Sequence, residues 1–265
     1  MIPAAVGYHR ATSLEDALEA LGRPDARALA GGQSLLPMLK LRLARPSLLV
    51  DIGTLELGGI ELADSELRIG ALATWDALAR APELQTPTLA ALAECAAGIG
   101  DLQVRNLGTV GGSLAHADPA SDLPAVVLAL DARLELRSPN GARSLAAADF
   151  FRTPFTTALA ERELIVAVAV PVPPPGSGSA YVSVEHPASG FALAGAAALV
   201  RPDGKSTVAL TGVGSRATLV PEDGSLQTVE MYGDRFAPEG YKRQVAAVVV
   251  RRALERARRR ADEGR

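Results

Sequence analysis

The decapeptide ALAGGQSLLP, residues 28–37, joins an apolar strand-like run to an apolar helix-like run. A tight turn needs one glycine. Two in a row, followed by two small polar residues, leave bare backbone for another group to lie against. Consecutive N–H groups with no side chain over them, plus the Ser34 hydroxyl just before a helix start, form a nest that suits an anion, most often a phosphate. A plain tight turn is the competing reading. No Gly-Lys-Ser/Thr follows, so the stretch is not a P-loop, and it lacks the GxGxxG spacing of a dinucleotide fingerprint.

Upstream, LEDALEALG (14–22) follows Ser13 as an N-cap, carries Asp16 at its third helical position and ends at Gly22. That pattern predicts a first helix. ARALAGG reads as a short buried strand, LLPMLKLRLARP as a helical segment and SLLVDIG as a second strand. Apolar strands in the order strand, turn, helix, strand predict a small parallel sheet. From about residue 60, GIELADSELRIGALATW predicts a hairpin of alternating strands and then a helix from Trp75 to Arg80, hence a mostly antiparallel second lobe.

An Ala-rich helical stretch, TPTLAALAECAAGIG, leads to GTVGGSLAHADPASD (108–122), which again sets Gly-Gly before a small polar residue. A helix, a strand, an Asn-Gly hairpin signal and a return strand follow, then ELIVAVAVP as another strand. VPPPGSGSA (172–180) reads as a linker or long turn between two parts of the chain. Beyond it, apolar runs predict a small antiparallel sheet and a final helix from about Tyr241. No repeat at solenoid spacing is present.

At 265 residues and 48% hydrophobic content, the chain can build proper cores without staples. One cysteine, Cys95, makes no intramolecular disulfide, and an iron–sulfur cluster needs about four thiolates, so any such cluster belongs to another chain. A net charge of −3 argues against nucleic acid. No apolar run reaches the roughly 18 residues of a membrane span, and no signal peptide is recognised, so a cytoplasmic protein is expected. Residues 251–265 hold seven arginines at helical spacing, read as a solvated helix face.

The second Gly-Gly stretch alters the reading of the first. TVGGS (109–113) offers a second bare-backbone surface with the Thr109 and Ser113 hydroxyls, and Asp118 and Asp122 follow within reach of a ribose or ribityl hydroxyl. Two such loops suit a ligand with two adjacent phosphates and polyhydroxyl arms, a description that fits FAD.

YHRATSLEDALEAL, AGGQSLLPMLKLRLARPSLLVDIG, QVRNLGTVGGSLAHADPASDLPAVVLALDA and FFRTPFTTALAERELIVAVAVP together resemble the FAD-binding medium subunit of the molybdenum hydroxylases, nearest to the carbon monoxide dehydrogenase-like branch, over nearly all of residues 1–215. The resemblance implies an α+β chain. It consists of a two-lobed PCMH-type (vanillyl-alcohol-oxidase-like) FAD-binding domain over 1–174, with lobes of about 1–55 and 56–174. A small C-terminal domain over 175–265 follows, with three antiparallel strands and helices. It implies that FAD receives electrons from 2Fe-2S clusters on a small partner subunit, fed by a molybdenum cofactor on a large one, and passes them to an acceptor. A dimer of heterotrimers is the assembly it suggests, with no metal on this chain.

By the same resemblance, Ala30, Gly31, Gly32, Gln33, Ser34 and Leu35 match a first pyrophosphate loop, and Thr109, Gly111, Gly112 and Ser113 a second. Asp122 sits where an acid contacts the cofactor's sugar region, joined by Asp118, while Ile99 and Ile165 align with apolar residues near the flavin ring. Two departures stand out. Ser183 occupies a position where the relatives usually carry Lys, which removes about 1–2 kcal/mol of charge-assisted stabilisation from a reduced flavin. The C-terminal domain is also short, and PEDGSLQTVEMYGDRFAPE has no counterpart in the family pattern. A stand-alone flavin oxidoreductase or a flavin-free scaffold are the rival functions. Of the remaining residues, His116 reads as a loop brace, His186 as part of a turn, Cys95 as a buried apolar residue, and Tyr181 and Phe191 as core of the last sheet.

Overall fold

The computed structural model describes residues 2–63, 65–221 and 224–264. Met1, Asp64, Glu222, Asp223 and Arg265 lie outside the described residues, so parts of the 59–75 hairpin reading, the 221–239 segment and the arginine run fall there too.

Strand β1 (Gly7–Arg10), helix α1 (Leu14–Ala20), β2 (Ala26–Leu29), α2 (Leu35–Lys40) and β3 (Leu48–Asp51) come first. The three strands form the expected parallel sheet in the order β1-β3-β2, with His9 and Ala28 both in register with Val50. Strand β1 is an addition, because GYHR carries no apolar run to announce it. Helix α1 starts as read: the Ser13 hydroxyl accepts the Asp16 N–H at 3.1 Å. It stops at Ala20, and Asp25 at φ 53° supplies the left-handed turn.

Strands β4 (Ile60–Ala63) and β5 (Glu66–Gly70) form the predicted hairpin, and α3 spans Trp75–Arg80 as read. Helices α4 (Ala90–Gly98), α5 (Leu102–Leu107), α6 (Val110–His116) and α7 (Leu123–Ala129) follow. Then come β6 (Arg133–Ser138), β7 (Gly141–Ala146), α8 (Ala147–Phe150), β8 (Phe151–Thr153), β9 (Thr156–Thr157) and β10 (Leu164–Pro171). The antiparallel sheet runs β4-β5-β10-β6-β7. Central β10 is buried from Leu164 to Val170, which is why its sequence shows no alternation. Gly141 at φ +122° closes the Asn-Gly hairpin between β6 and β7. The main core gathers Leu67, Ile69, Trp75, Leu92, Leu134 and Phe150.

Strands β11 (Gly178–Glu185), β12 (Ala192–Val200), β13 (Ser206–Thr211) and β14 (Thr218–Leu219) build a final antiparallel sheet in chain order, one short strand more than the three expected. Helix α9 (Glu239–Glu263) lays Ala246, Val249, Ala253, Ala257 and Ala261 on the sheet's Ala194, Ala196 and Ala198. Small residues on both sides let the helix approach closely. A Cβ at Gly178 would overlap the Ala257 carbonyl. Of the reading of 172–180 as a linker or long turn, the turn holds over 172–177 between β10 and β11, but it is not loose: Ser177 and Ser179 are fully buried, and the Ser179 hydroxyl accepts the Ala91 N–H at 3.0 Å. Its glycine and serines serve packing. The solvated reading of the arginine run also holds only in part. Arg251, Arg252 and Arg258 are exposed, whereas Arg256 and Arg260 reach Glu94 on α4 at 2.9 and 2.7 Å.

Candidate flavin site

The first Gly-Gly stretch is a true elbow between β2 and α2. Gly32 sits at φ +72°, a left-handed conformation that glycine adopts without cost. Among the described residues, the N–H groups of Gly32, Gln33 and Ser34 have no hydrogen-bond partner, and the Ser34 hydroxyl does not cap α2. The Gln33 side chain folds back to donate to the Gly31 carbonyl at 3.2 Å. Ala30 ends the approach from β2, and half-buried Leu35 opens α2. Gly31 packs directly on the end of α5: a Cβ there would overlap the Leu107 carbonyl and lie 3.0 Å from the Gly108 Cα. The two glycine regions are therefore neighbours in space.

The second stretch differs from its sequence reading. Gly111 and Gly112 lie in the first turn of α6, not in a turn between elements. The Val110 and Gly111 N–H groups donate to the Ala73 and Ala71 carbonyls at 3.0 and 2.8 Å, and Trp75 N–H donates to the Gly108 carbonyl at 3.2 Å. Thr109 is the N-cap, its hydroxyl accepting the Gly112 N–H at 3.2 Å. The bare-backbone expectation for TVGGS is corrected accordingly, because a strap at 71–75 uses those donors. Gly111 is required by that strap, since a Cβ would stand 2.6 Å from the Ala71 Cβ. Ala71 in turn donates to the Val166 carbonyl at 3.0 Å, next to Ile165, which is 5% exposed in the main core. Half-buried Ile99 caps α4 and packs against the same core.

The chain after α6 leaves through Ala117 at φ 50° and turns within 118–122. Asp118 accepts the Ala120 N–H at 2.9 Å, and the Ser113 and Ser121 hydroxyls are 3.0 Å apart. The last sheet clamps this turn. The Thr211 hydroxyl donates to the Ser121 and Pro119 carbonyls at 2.6 and 3.0 Å, and Gly212 N–H to the latter at 2.9 Å. His116 packs at a 52° tilt against the Phe155 ring, centroids 5.2 Å apart, consistent with its reading as a brace.

Asp122 is 8% exposed and accepts a hydrogen bond from the Tyr181 hydroxyl. Burial raises its carboxyl to about 6. The Tyr181 bond pulls it down, while the charges of Glu185 and Asp118 add to the rise. Burial, followed by the Asp122 charge, pushes the Tyr181 phenol well up, and the buried Cys95 thiol is raised for the same two reasons. Sequence reasoning placed Tyr181 in the core but missed this bond. The available signal was Gly195, a glycine inside the apolar β12, whose missing Cβ makes room for the Tyr181 hydroxyl. Glu94, also missed, accepts the Tyr181 N–H at 2.9 Å. Among the described residues no cluster of three His, Cys, Asp or Glu has metal-binding geometry, and no helix is long and apolar enough to cross a membrane.

Residues 4–173 match the family described as the FAD binding domain in molybdopterin dehydrogenase. The carbon monoxide dehydrogenase medium chain of Hydrogenophaga pseudoflava is 37% identical over 283 aligned positions, covering 97% of this chain and 98% of that one. The glyceraldehyde dehydrogenase medium chain of Sulfolobus acidocaldarius is 42% identical over 77% of this chain and 73% of its own. A chain of the cyanide-inactivated Cu,Mo-CO dehydrogenase crystal structure superimposes with a TM-score of 0.93 at 35% identity, covering 98% of this chain and 100% of that one. The α+β fold, the free N–H row at the first elbow and these likenesses agree: the chain belongs to the FAD-binding medium subunits of the molybdenum hydroxylases, an oxidoreductase family.

Proposed function

We propose that this chain is the electron-exit subunit of a heteromeric molybdenum hydroxylase, taking electrons from 2Fe-2S clusters on a small partner subunit and handing them to an acceptor. Residues 1–174 form its flavin-binding part and 175–265 its C-terminal domain. A large subunit with the molybdenum cofactor completes the complex, as a dimer of heterotrimers in the cytoplasm. The observation that carries the reading is the row of N–H groups at Gly32, Gln33 and Ser34 with no partner among the described residues, at an elbow where Gly31 admits no side chain.

Residues and group fit. The Gly32–Ser34 donors, with Ala30 and Leu35 flanking them, suit a pyrophosphate. Leu107 and Gly108 press on that elbow, and the Thr109, Gly111, Gly112 and Ser113 region follows them directly as a second surface for the cofactor. Asp118 and Asp122 offer carboxylates for sugar hydroxyls, and Ile99 and Ile165 supply the apolar side expected near a flavin ring. FAD, when bound, supplies the exchange of electrons between one-electron clusters and the acceptor. This chain's own residues bind the diphosphate, orient the sugar and exclude water from the ring. The substrate is chosen elsewhere, which agrees with relatives named for substrates as different as carbon monoxide and glyceraldehyde.

Co-expression with cluster and molybdenum subunits tests the reading. A purified complex holding about one FAD per copy of this chain, its flavin reduced through the clusters, is the expected result. A chain that purifies alone under those conditions overturns it. Ser183 on β11, close to the acidic Asp122 and Glu185 region, favours the second reading, a stand-alone flavin oxidoreductase. Reduction of the flavin by a small molecule without partner subunits is the outcome that would select it.

A further inference from the structure

We infer that Tyr181 is a positioning residue for Asp122, and that Glu94, braced by Arg256 and Arg260 of α9, holds Tyr181 in place. The inference rests on the proposed role of Asp122 as a contact to the sugar region of FAD. Asp122 stands at the start of α7 in αR geometry and makes no side-chain cap bond; its carboxylate accepts from its own backbone N–H and, from across the fold, from the Tyr181 hydroxyl. The phenol is itself held at both ends. Its hydroxyl fills the space left by the missing side chain of Gly195, and its backbone N–H donates to Glu94 Oε2 at 2.9 Å. Arg256 and Arg260 donate to Glu94 Oε1 at 2.9 and 2.7 Å, and Arg260 also reaches the Ser179 carbonyl at 2.7 Å. Burial pushes the Glu94 carboxyl up, but the bonds from Arg260 and from the Tyr181 N–H outweigh it and keep the group ionised.

The chain of contacts thus runs from α9 through Glu94 and Tyr181 to the acid. The titratable groups facing Asp122 are Tyr181 and Glu185 from β11, Cys95 from α4 and Asp118 from its own loop. Glu185 and Asp118 disfavour the carboxylate; the Tyr181 hydroxyl favours it by donating to it. An ionised Asp122 accepts from a sugar hydroxyl, so losing the Tyr181 donor weakens FAD and moves the pH at which it weakens.

The test is the FAD dissociation constant of the full chain, with whatever partner subunits purify with it, measured by flavin fluorescence across the pH range around the Asp122 midpoint. Wild type should lose affinity as pH falls through about 6. Tyr181→Phe should bind about tenfold more weakly at neutral pH, the scale of one charge-assisted hydrogen bond, with its midpoint moved upward. Asp122→Asn should bind weakly without that pH dependence, and the double variant should bind no more weakly than Asp122→Asn alone. Glu94→Gln should move the midpoint in the same direction by less, and it decides the matter if Tyr181→Phe does not fold by thermal melting. A wild-type midpoint and affinity in the folded Tyr181→Phe, or in Glu94→Gln if that variant has to decide, overturns the inference. So does full additivity in the double variant. A wild-type chain that retains no FAD overturns the flavin reading instead, and FAD binding unaffected by Asp122→Asn overturns the role given to that acid.

Discussion

Gly31–Gly32 and Gly111–Gly112 are each followed by a polar residue, yet their backbones are used in opposite ways. At the first pair three successive N–H groups have no partner among the described residues. At the second, the N–H groups of Val110, Gly111 and Gly112 are taken by Ala73, Ala71 and the Thr109 hydroxyl. One pair leaves its donors open and the other fastens a helix. Gly31 joins the two, since its absent side chain lets Leu107 and Gly108 lie against the elbow. A glycine pair can thus mean access for a small molecule or access for another stretch of chain, and only the destination of its N–H groups distinguishes them.

Substitutions can break this contrast. The largest loss is expected for Gly31→Ala, whose Cβ meets a backbone carbonyl that cannot swing away; about 3 kcal/mol of unfolding stability should disappear in urea titration, and flavin retention with it. Wild-type stability would show that the elbows are not pressed together. Gly111→Ala should cost about 2 kcal/mol by the same measurement, against Ala71, yet leave FAD binding intact once excess FAD is present. Loss of FAD without loss of stability would reverse the roles assigned to the two pairs. Thr109→Val removes a helix cap and should cost about 1 kcal/mol. Smallest in stability is Ser34→Ala: the hydroxyl caps nothing, so the apo melting curve should not move while FAD affinity drops about fivefold. A lowered melting temperature there would mean that Ser34 belongs to the frame.

Local pattern was enough for the parallel sheet around Val50, the β4–β5 hairpin, the helix at 75–80 and the Asn-Gly turn, because each is written in spacing, caps or turn residues close together in the chain. The strand at 7–10 escaped notice because pairing with Leu48–Asp51, and not its own composition, makes it a strand. The free donors at Gly32–Ser34 were legible in the same way. The engaged donors at 110–112 were not, because their acceptors lie in a strap far back in the sequence. Tyr181 to Asp122 is a longer reach still, and a tyrosine in a strand carries no mark of the acid it will meet. The small residues at 176–180 look flexible in composition and are rigid in place for a similar reason: the backbone they admit comes from α9.

That last contact sets an order on synthesis. Gly178 gains its neighbours only when Ala257 and Ala261 exist, and Glu94 gains its cations only with Arg256 and Arg260. A nascent chain leaving the ribosome can close the parallel sheet and the β4–β7 region early, but the bracket behind Tyr181 waits for nearly the last turn of α9. Such distant closure is slow by its topology. Chains released before that turn is made would carry the Gly31–Gly32 elbow and lack the arginines that brace Glu94 behind Tyr181.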